Sequence, residues 1–68
     1  MTLYFVNRIP QDNGDHEVHR LGCSVFPKGD HARPLGEHAT CETAVALART
    51  IYPTADGCWV CSRACHTS

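Results

Sequence analysis

No stretch of this sequence is apolar for anything near the roughly 20 residues that a membrane-crossing helix requires. A basic stripe is missing too. Lysine and arginine number 6 against 7 acidic residues, and the net charge is -1 with histidines neutral. Arg8, Arg20, Lys28, Arg33, Arg49 and Arg63 are scattered along the chain. A large electrostatic footprint on nucleic acid is therefore disfavoured. The opening MTLYFVNRIP lacks the charged start, long apolar segment and cleavage site of a secretory signal. The expectation is a cytoplasmic protein, in a compartment where thiols are normally reduced.

Large apolar side chains are also in short supply. The 68 residues include 2 Phe, 2 Tyr, 1 Trp and 1 Met. This length predicts one domain, residues 1–68, that buries only about 60% of the surface its unfolded chain exposes. Backbone ordering alone opposes folding by roughly 1–2 kcal/mol per residue. A core of Leu3, Phe5, Val18, Leu21, Val25, Phe26, Val45, Leu47, Ile51 and Trp59 is thin against that. Small domains so placed add a metal, disulfides or a partner subunit. What the chain does have is 5 Cys and 5 His. An odd cysteine count fits poorly with a complete set of internal disulfides, so a metal is expected rather than disulfides.

Residues 2–7, TLYFVN, alternate and are rich in aromatic and β-branched types, which predicts a strand. Asn13-Gly14 then suits a tight hairpin turn with φ > 0 at both centres. Residues 16–23 predict the second strand, with His16, Val18 and Arg20 on one face and Glu17, His19 and Leu21 on the other. Pro27, Gly29, Pro34 and Gly36 break residues 24–39, which predicts loop with at most a short third strand. Residues 40–52 predict a helix with Thr40 as N-cap, Glu42 at the positive end of the dipole, an apolar stripe of Ala44, Leu47, Ala48 and Ile51, and Pro53 as the stop. TADG (54–57) reads as a turn, and CWVCSRACHTS as a cysteine knuckle. The fold class is α+β: hairpin, loop, one helix and a C-terminal knuckle.

His19-x3-Cys23 closes the hairpin and Cys58-x2-Cys61 follows the helix. A C-x2-C turn points two sulfurs the same way, and Gly57 permits its tight entry. Two such pairs supply the four donors of a tetrahedral zinc site. The expected ligands are His19, Cys23, Cys58 and Cys61 around one structural Zn2+, clipping the hairpin to the end of the helix. Structural zinc contributes on the order of 10 kcal/mol to folding, which addresses the thin core. Mixed Cys/His tetrahedra favour zinc over iron. The bland alternative is that Cys58 and Cys61 are simply small buried residues.

H-x3-C, a Thr-capped helix with Ala-Val and then G-C-x2-C resemble the metal-binding domain at the N-terminus of bacterial Ada-type DNA repair proteins. In that family C-x3-C, a short helix and C-x2-C bring four cysteines to one zinc. The resemblance spans roughly residues 16–61. It places Cys23 on the second ligand, Cys58 and Cys61 on the last two, and His19 on the first, the family's methyl-accepting thiolate. An imidazole can ligate zinc but cannot accept the methyl group, so the resemblance implies a metal site and not the repair reaction. NGDHEVH, GC, LG, a cysteine opening a helix with AV, and a terminal GCxxCxxxCH resemble a group of short, mostly uncharacterised bacterial Cys/His-rich proteins. That resemblance spans nearly the whole chain and implies a free-standing domain.

Other donors stay in play. Cys65 or His66 could replace His19, since C-x2-C-x3-C-H presents four donors locally, although it would not staple the hairpin. Cys41, at the first helical position, is a further candidate, but packing inward is its plainer role. His16, His31 and His38 read as surface or loop-bonded residues. Three functions are weighed. The favoured one is a structural-zinc binding module whose partner, a protein, meets loop 27–38 or an exposed Trp59. The runner-up is a thiol-disulfide redox protein using Cys58-Trp59-Val60-Cys61. That motif follows a helix here, rather than sitting in the βαβ setting of thioredoxin-like enzymes. The third is an enzyme with an open metal position, suggested by DHEVH. Strand alternation throws His16 and His19 to opposite faces, and so short a chain has little room for a substrate pocket.

Overall fold

The structure is a computed structural model, described for residues 1–67. It is α+β: strands β1 (Thr2–Asn7), β2 (His16–Arg20), β3 (Ala32–His38) and β4 (Ala55–Gly57), with helix α1 (Cys41–Arg49) between β3 and β4. Single 3-10 turns occupy Gly29–His31 and Arg63–Cys65. The strands form one sheet in the order β3-β1-β2-β4. β1 runs antiparallel to both neighbours, whereas β4 is parallel to β2.

Alternation along β1 decides which face meets the helix. Tyr4 and Val6 are buried with Val18 of β2 and Leu35 of β3, against Cys41, Ala44, Val45 and Ala48 of α1. The buried face of the helix thus runs through Val45; Leu47 and Ile51, expected inside, are exposed. Small alanines let α1 approach the sheet closely, which a stripe of leucine and isoleucine would prevent. Leu3 is likewise exposed. Phe5 lies on the opposite face and packs edge-on against Phe26, with ring centroids 5.1 Å apart. Thr40 stands at the N-cap, but its side chain makes no capping hydrogen bond.

Three local expectations are corrected. Residues 32–38 form a full strand despite Pro34 and Gly36, because β3 lies at the sheet edge. Proline is tolerated on edges and at bulges. Tyr4 pairs with Gly36 and Phe5 with Pro34. Leu35 is thus the extra residue of a β-bulge, turned into the core, and Gly36 beside it adopts φ +83°. Such bulges often rely on a glycine that accepts positive φ. Next, β2 stops at Arg20, and the β1–β2 connection spans 8–15 rather than a two-residue turn. Gly14 takes positive φ, while Asn13 instead accepts a hydrogen bond from the Asp15 amide through its Oδ1 (2.9 Å). Finally, Ala55–Gly57 is a strand and not a turn, since an α1 crossover delivers it parallel to β2.

The largest correction concerns the cysteines. Cys41 and Cys65 form a disulfide across a sequence separation of 24, where no disulfide was expected. Both sulfurs are thereby committed to each other, so Cys41 and Cys65 do not serve as alternative ligands. The odd count resolves into one bridge and three free thiols, Cys23, Cys58 and Cys61. The bridge bears on the expected compartment as well, because such bonds persist in oxidising surroundings and are rare in reducing ones. It ties the start of α1 to the C-terminal segment. Asp56 holds that segment a second time, accepting from the Thr67 amide (3.0 Å) and hydroxyl (2.9 Å) with the Arg49 guanidinium 3.7 Å away. No helix among the described residues is long and apolar enough to cross a membrane.

The C-terminal segment crosses directly over Gly57. A Cβ there would lie 2.6 Å from the Ser62 carbonyl oxygen and 2.7 Å from the Cys65 Cβ. Gly57→Ala is therefore expected to destabilise the fold by about 1–3 kcal/mol through overpacking, read as a lowered urea midpoint. Replacing both Cys41 and Cys65 with serine is expected to lose about 3.5 kcal/mol, the chain-entropy value for a loop of this length. The same urea titration, with metal content held equal, checks it.

Candidate metal centre

β2 serves two faces of the sheet. Val18 enters the helix-side core, and its neighbour His19 points the other way, paired in register with Phe5. The His19 ring lies against Phe26, with centroids 6.2 Å apart, and the residue is only 1% exposed. Beyond Arg20 the chain turns sharply. Gly22 takes φ +88° and the Cys23 amide donates to the Arg20 carbonyl (3.2 Å). The turn brings the Cys23 thiol back beside the imidazole. From the other side, the Cys58 amide donates to the Val18 carbonyl (2.9 Å), hanging the C-x2-C knuckle on the same strand.

His19, Cys23, Cys58 and Cys61 thus converge, each offering one ligand atom, all within 4.8 Å of one another. The Cys23 and Cys58 sulfurs are 3.9 Å apart. Two sulfurs on a tetrahedral zinc, each bonded at about 2.3 Å, would be separated by about 3.8 Å. The arrangement can hold a metal ion. The imidazole supplies an independent argument. Both His19 ring nitrogens are buried without a hydrogen-bond partner among the described residues. An unsatisfied buried polar group costs about 1–3 kcal/mol, and a bound cation would remove that penalty at one nitrogen.

The sulfurs are prepared unequally. Burial pushes the Cys58 thiol up to about 12, and burial raises Cys23 as well. Burial also acts upward on Cys61, but hydrogen bonds outweigh it, led by the Arg20 amide at 3.4 Å, and leave this thiol below its ordinary value. The Val60 amide donates to the Cys58 sulfur (3.3 Å). Backbone donors aimed at sulfur favour the thiolates that a metal would require.

One contributor had been given no role by the spacing argument. The Glu17 carboxylate lies 3.7 Å from His19 Nε2, and burial raises its pKa. The i, i+2 relation on one strand face was the available signal. A carboxylate beside a ligating histidine orients the ring through its second nitrogen. The remaining candidates lie elsewhere. His66 Nδ1 meets the Gly57 carbonyl at 2.9 Å, so His66 is engaged outside the cluster. His16 stacks on Tyr52 and bonds the Asn7 carbonyl. His38 bridges Thr43 and the Leu35 carbonyl, and His31 is exposed. No protein-family model, curated protein or solved structure matches the chain.

Burial lowers the His19 pKa from its ordinary value of 6.5. In metal-free protein the unfolded chain therefore takes up a proton below pH 6.5 that the folded chain refuses. Stability is expected to fall with pH from 6.5 down to the folded pKa, by up to about 1.4 kcal/mol per pH unit. Glu17, with its raised pKa, acts in the opposite sense above its ordinary value. Comparison with His19→Gln isolates the histidine part, which the variant should lack in urea titrations across pH 5–7.

Proposed function

We propose that the chain is a small structural-zinc domain acting as an interaction module, with one Zn2+ held by His19, Cys23, Cys58 and Cys61. The observation that carries this reading is a buried imidazole whose nitrogens have no hydrogen-bond partner among the described residues, beside three free thiols. The donor set favours zinc, since thiolate and imidazole in a tetrahedron suit that ion. The metal would join residues 35 and more positions apart in sequence, from the β2 turn to the C-terminal knuckle, where the core is thinnest. A cytoplasmic address agrees with free thiols in the cluster, while the Cys41–Cys65 bridge argues for oxidising surroundings. A count of alkylatable thiols in protein taken from the cell would decide between them.

The module reading is supported by what the knuckles display. Trp59 is 56% exposed between the two knuckle cysteines. The Arg63 guanidinium stacks 4.5 Å over its ring, Val60 next to it is exposed, and so are Leu21 and Val25 on either side of Cys23. Much of 27–38, the other proposed contact, is β3 itself, so Trp59 is the better candidate for meeting a protein partner. The runner-up, thiol-disulfide exchange by the C-x2-C pair, is disfavoured by one observation. Cys58, the leading thiol of that motif, is buried and its pKa is pushed up to about 12, whereas an exchanging thiol must be accessible and ionised.

Protein purified without added metal should carry one zinc per chain by native mass spectrometry and show a lowered urea midpoint in excess chelator. Rebinding zinc at pH 7 should release about two to three protons, chiefly from Cys23 and Cys58, as calorimetry in buffers of different ionisation enthalpy would report. His19→Ala is expected to weaken zinc binding at least a hundredfold, with His31→Ala unchanged. Absence of zinc uptake by the reduced cluster would sink the reading.

A further inference from the structure

The four candidate ligands are not equally sheltered. His19, Cys23 and Cys58 are buried, whereas Cys61 is partly open to solvent. Cys61 is also the sulfur that receives the Arg20 amide, with the Ser62 hydroxyl 3.7 Å away. A soluble oxidant thus meets one thiolate first, and two further sulfurs wait within 4.8 Å of it. The second staple, Cys41–Cys65, is already oxidised. It fastens α1 to the C-terminal segment independently of the cluster. Losing the metal would therefore leave the helix start tied to the C-terminal segment.

We propose that the cluster is a hydroperoxide-gated metal-release site, with Cys61 as its entry point. This rests on the metal-binding reading above. In the first step the Cys61 thiolate attacks the peroxide O–O bond. With one proton taken from water, it becomes a sulfenic acid and the peroxide leaves as an alcohol or, from hydrogen peroxide, as water. In the second step the thiolate of Cys58 or Cys23 attacks the Cys61 sulfur. An S–S bond forms, and the hydroxyl leaves with a second proton as water. Two thiolates have then given up one electron each, and the peroxide has taken both. Sulfenic acids condense in this way with a nearby thiol. The site drops from four ligands to two and the divalent ion departs. A thiol reductant reverses the change, because the ligands remain positioned by the disulfide-tied fold.

The test uses the full chain with Cys41–Cys65 intact and the cluster reduced. It is first titrated with zinc, then treated with hydrogen peroxide in the presence of a chromophoric zinc indicator, and disulfides are mapped by mass spectrometry. Release of one zinc per chain, a new disulfide from Cys61 to Cys58 or Cys23, and an unchanged Cys41–Cys65 bond are expected. A parallel reaction with dimedone should tag Cys61. Cys61→His, which keeps a metal donor at the position, should release zinc at least tenfold more slowly. Zinc that binds and then survives peroxide sufficient to oxidise free cysteine in the same tube overturns the switch alone. A tag on Cys23 or Cys58, or Cys61→His releasing at the wild-type rate, overturns Cys61 as the entry. Should Cys61→His fail to bind zinc, the dimedone map of the unaltered protein decides. Failure to take up zinc at the outset overturns the metal reading and the switch together.

Discussion

The burial of His19 is the constraint on which the rest depends. Its ring is enclosed by Phe26 and by the turn that returns Cys23, and neither nitrogen has a hydrogen-bond partner among the described residues. A chain this short cannot leave such a group unsatisfied without losing a noticeable part of its stability, which for small domains is only several kcal/mol in all. The neighbours are arranged accordingly. β2 must place Val18 under the helix and His19 on the far face at once, so a one-residue slip would exchange an apolar core residue for an imidazole. The strand is pinned against that slip on both sides, by β1 and by the parallel β4.

The molecule therefore has two centres of order on opposite faces of one strand, and residues 58–67 serve both. Cys58 and Cys61 turn toward His19, Cys65 reaches the first residue of α1, and Thr67 closes on Asp56. Gly57 is the pivot, because the returning segment lies where its side chain would be. The disulfide restrains the unfolded chain covalently, whereas the cluster holds the two knuckles only while something bridges the ligands. This division explains how a sequence of this size manages with alanines rather than leucines beneath its helix.

The parts of this arrangement that were legible in the sequence are those fixed by local spacing. The H-x3-C and C-x2-C pairs are set by single turns, so their residues could be named together before the fold was known. The helix start at Cys41 and the β1 and β2 strands followed from periodicity in the same way. What was not legible depends on long-range geometry. Leu35 becomes a core residue only because a bulge rotates it inward, and Pro34 and Gly36 disguise the strand that carries it. Leu47 and Ile51 promised a core stripe, but the helix's approach to the sheet selects Val45 and the alanines. The Cys41–Cys65 bridge has no spacing signature at all. It required knowing that the knuckle folds back across Gly57 to the helix start.

The choice of three sulfurs and one imidazole has a physical consequence of its own. A divalent ion with four thiolates carries a net charge of about -2, and with three thiolates and a neutral histidine about -1. In a site as buried as His19 and Cys58 the smaller charge lowers the desolvation penalty, which rises steeply with charge in a low-dielectric interior. What charge remains is met by backbone donors, the Arg20 amide on Cys61 and the Val60 amide on Cys58. No lysine or arginine side chain is needed against the sulfurs. An imidazole in place of a fourth thiolate thus suits the chain to a compact site held by strand and turn amides. It also leaves the most exposed sulfur, Cys61, as the place where chemistry from outside can enter.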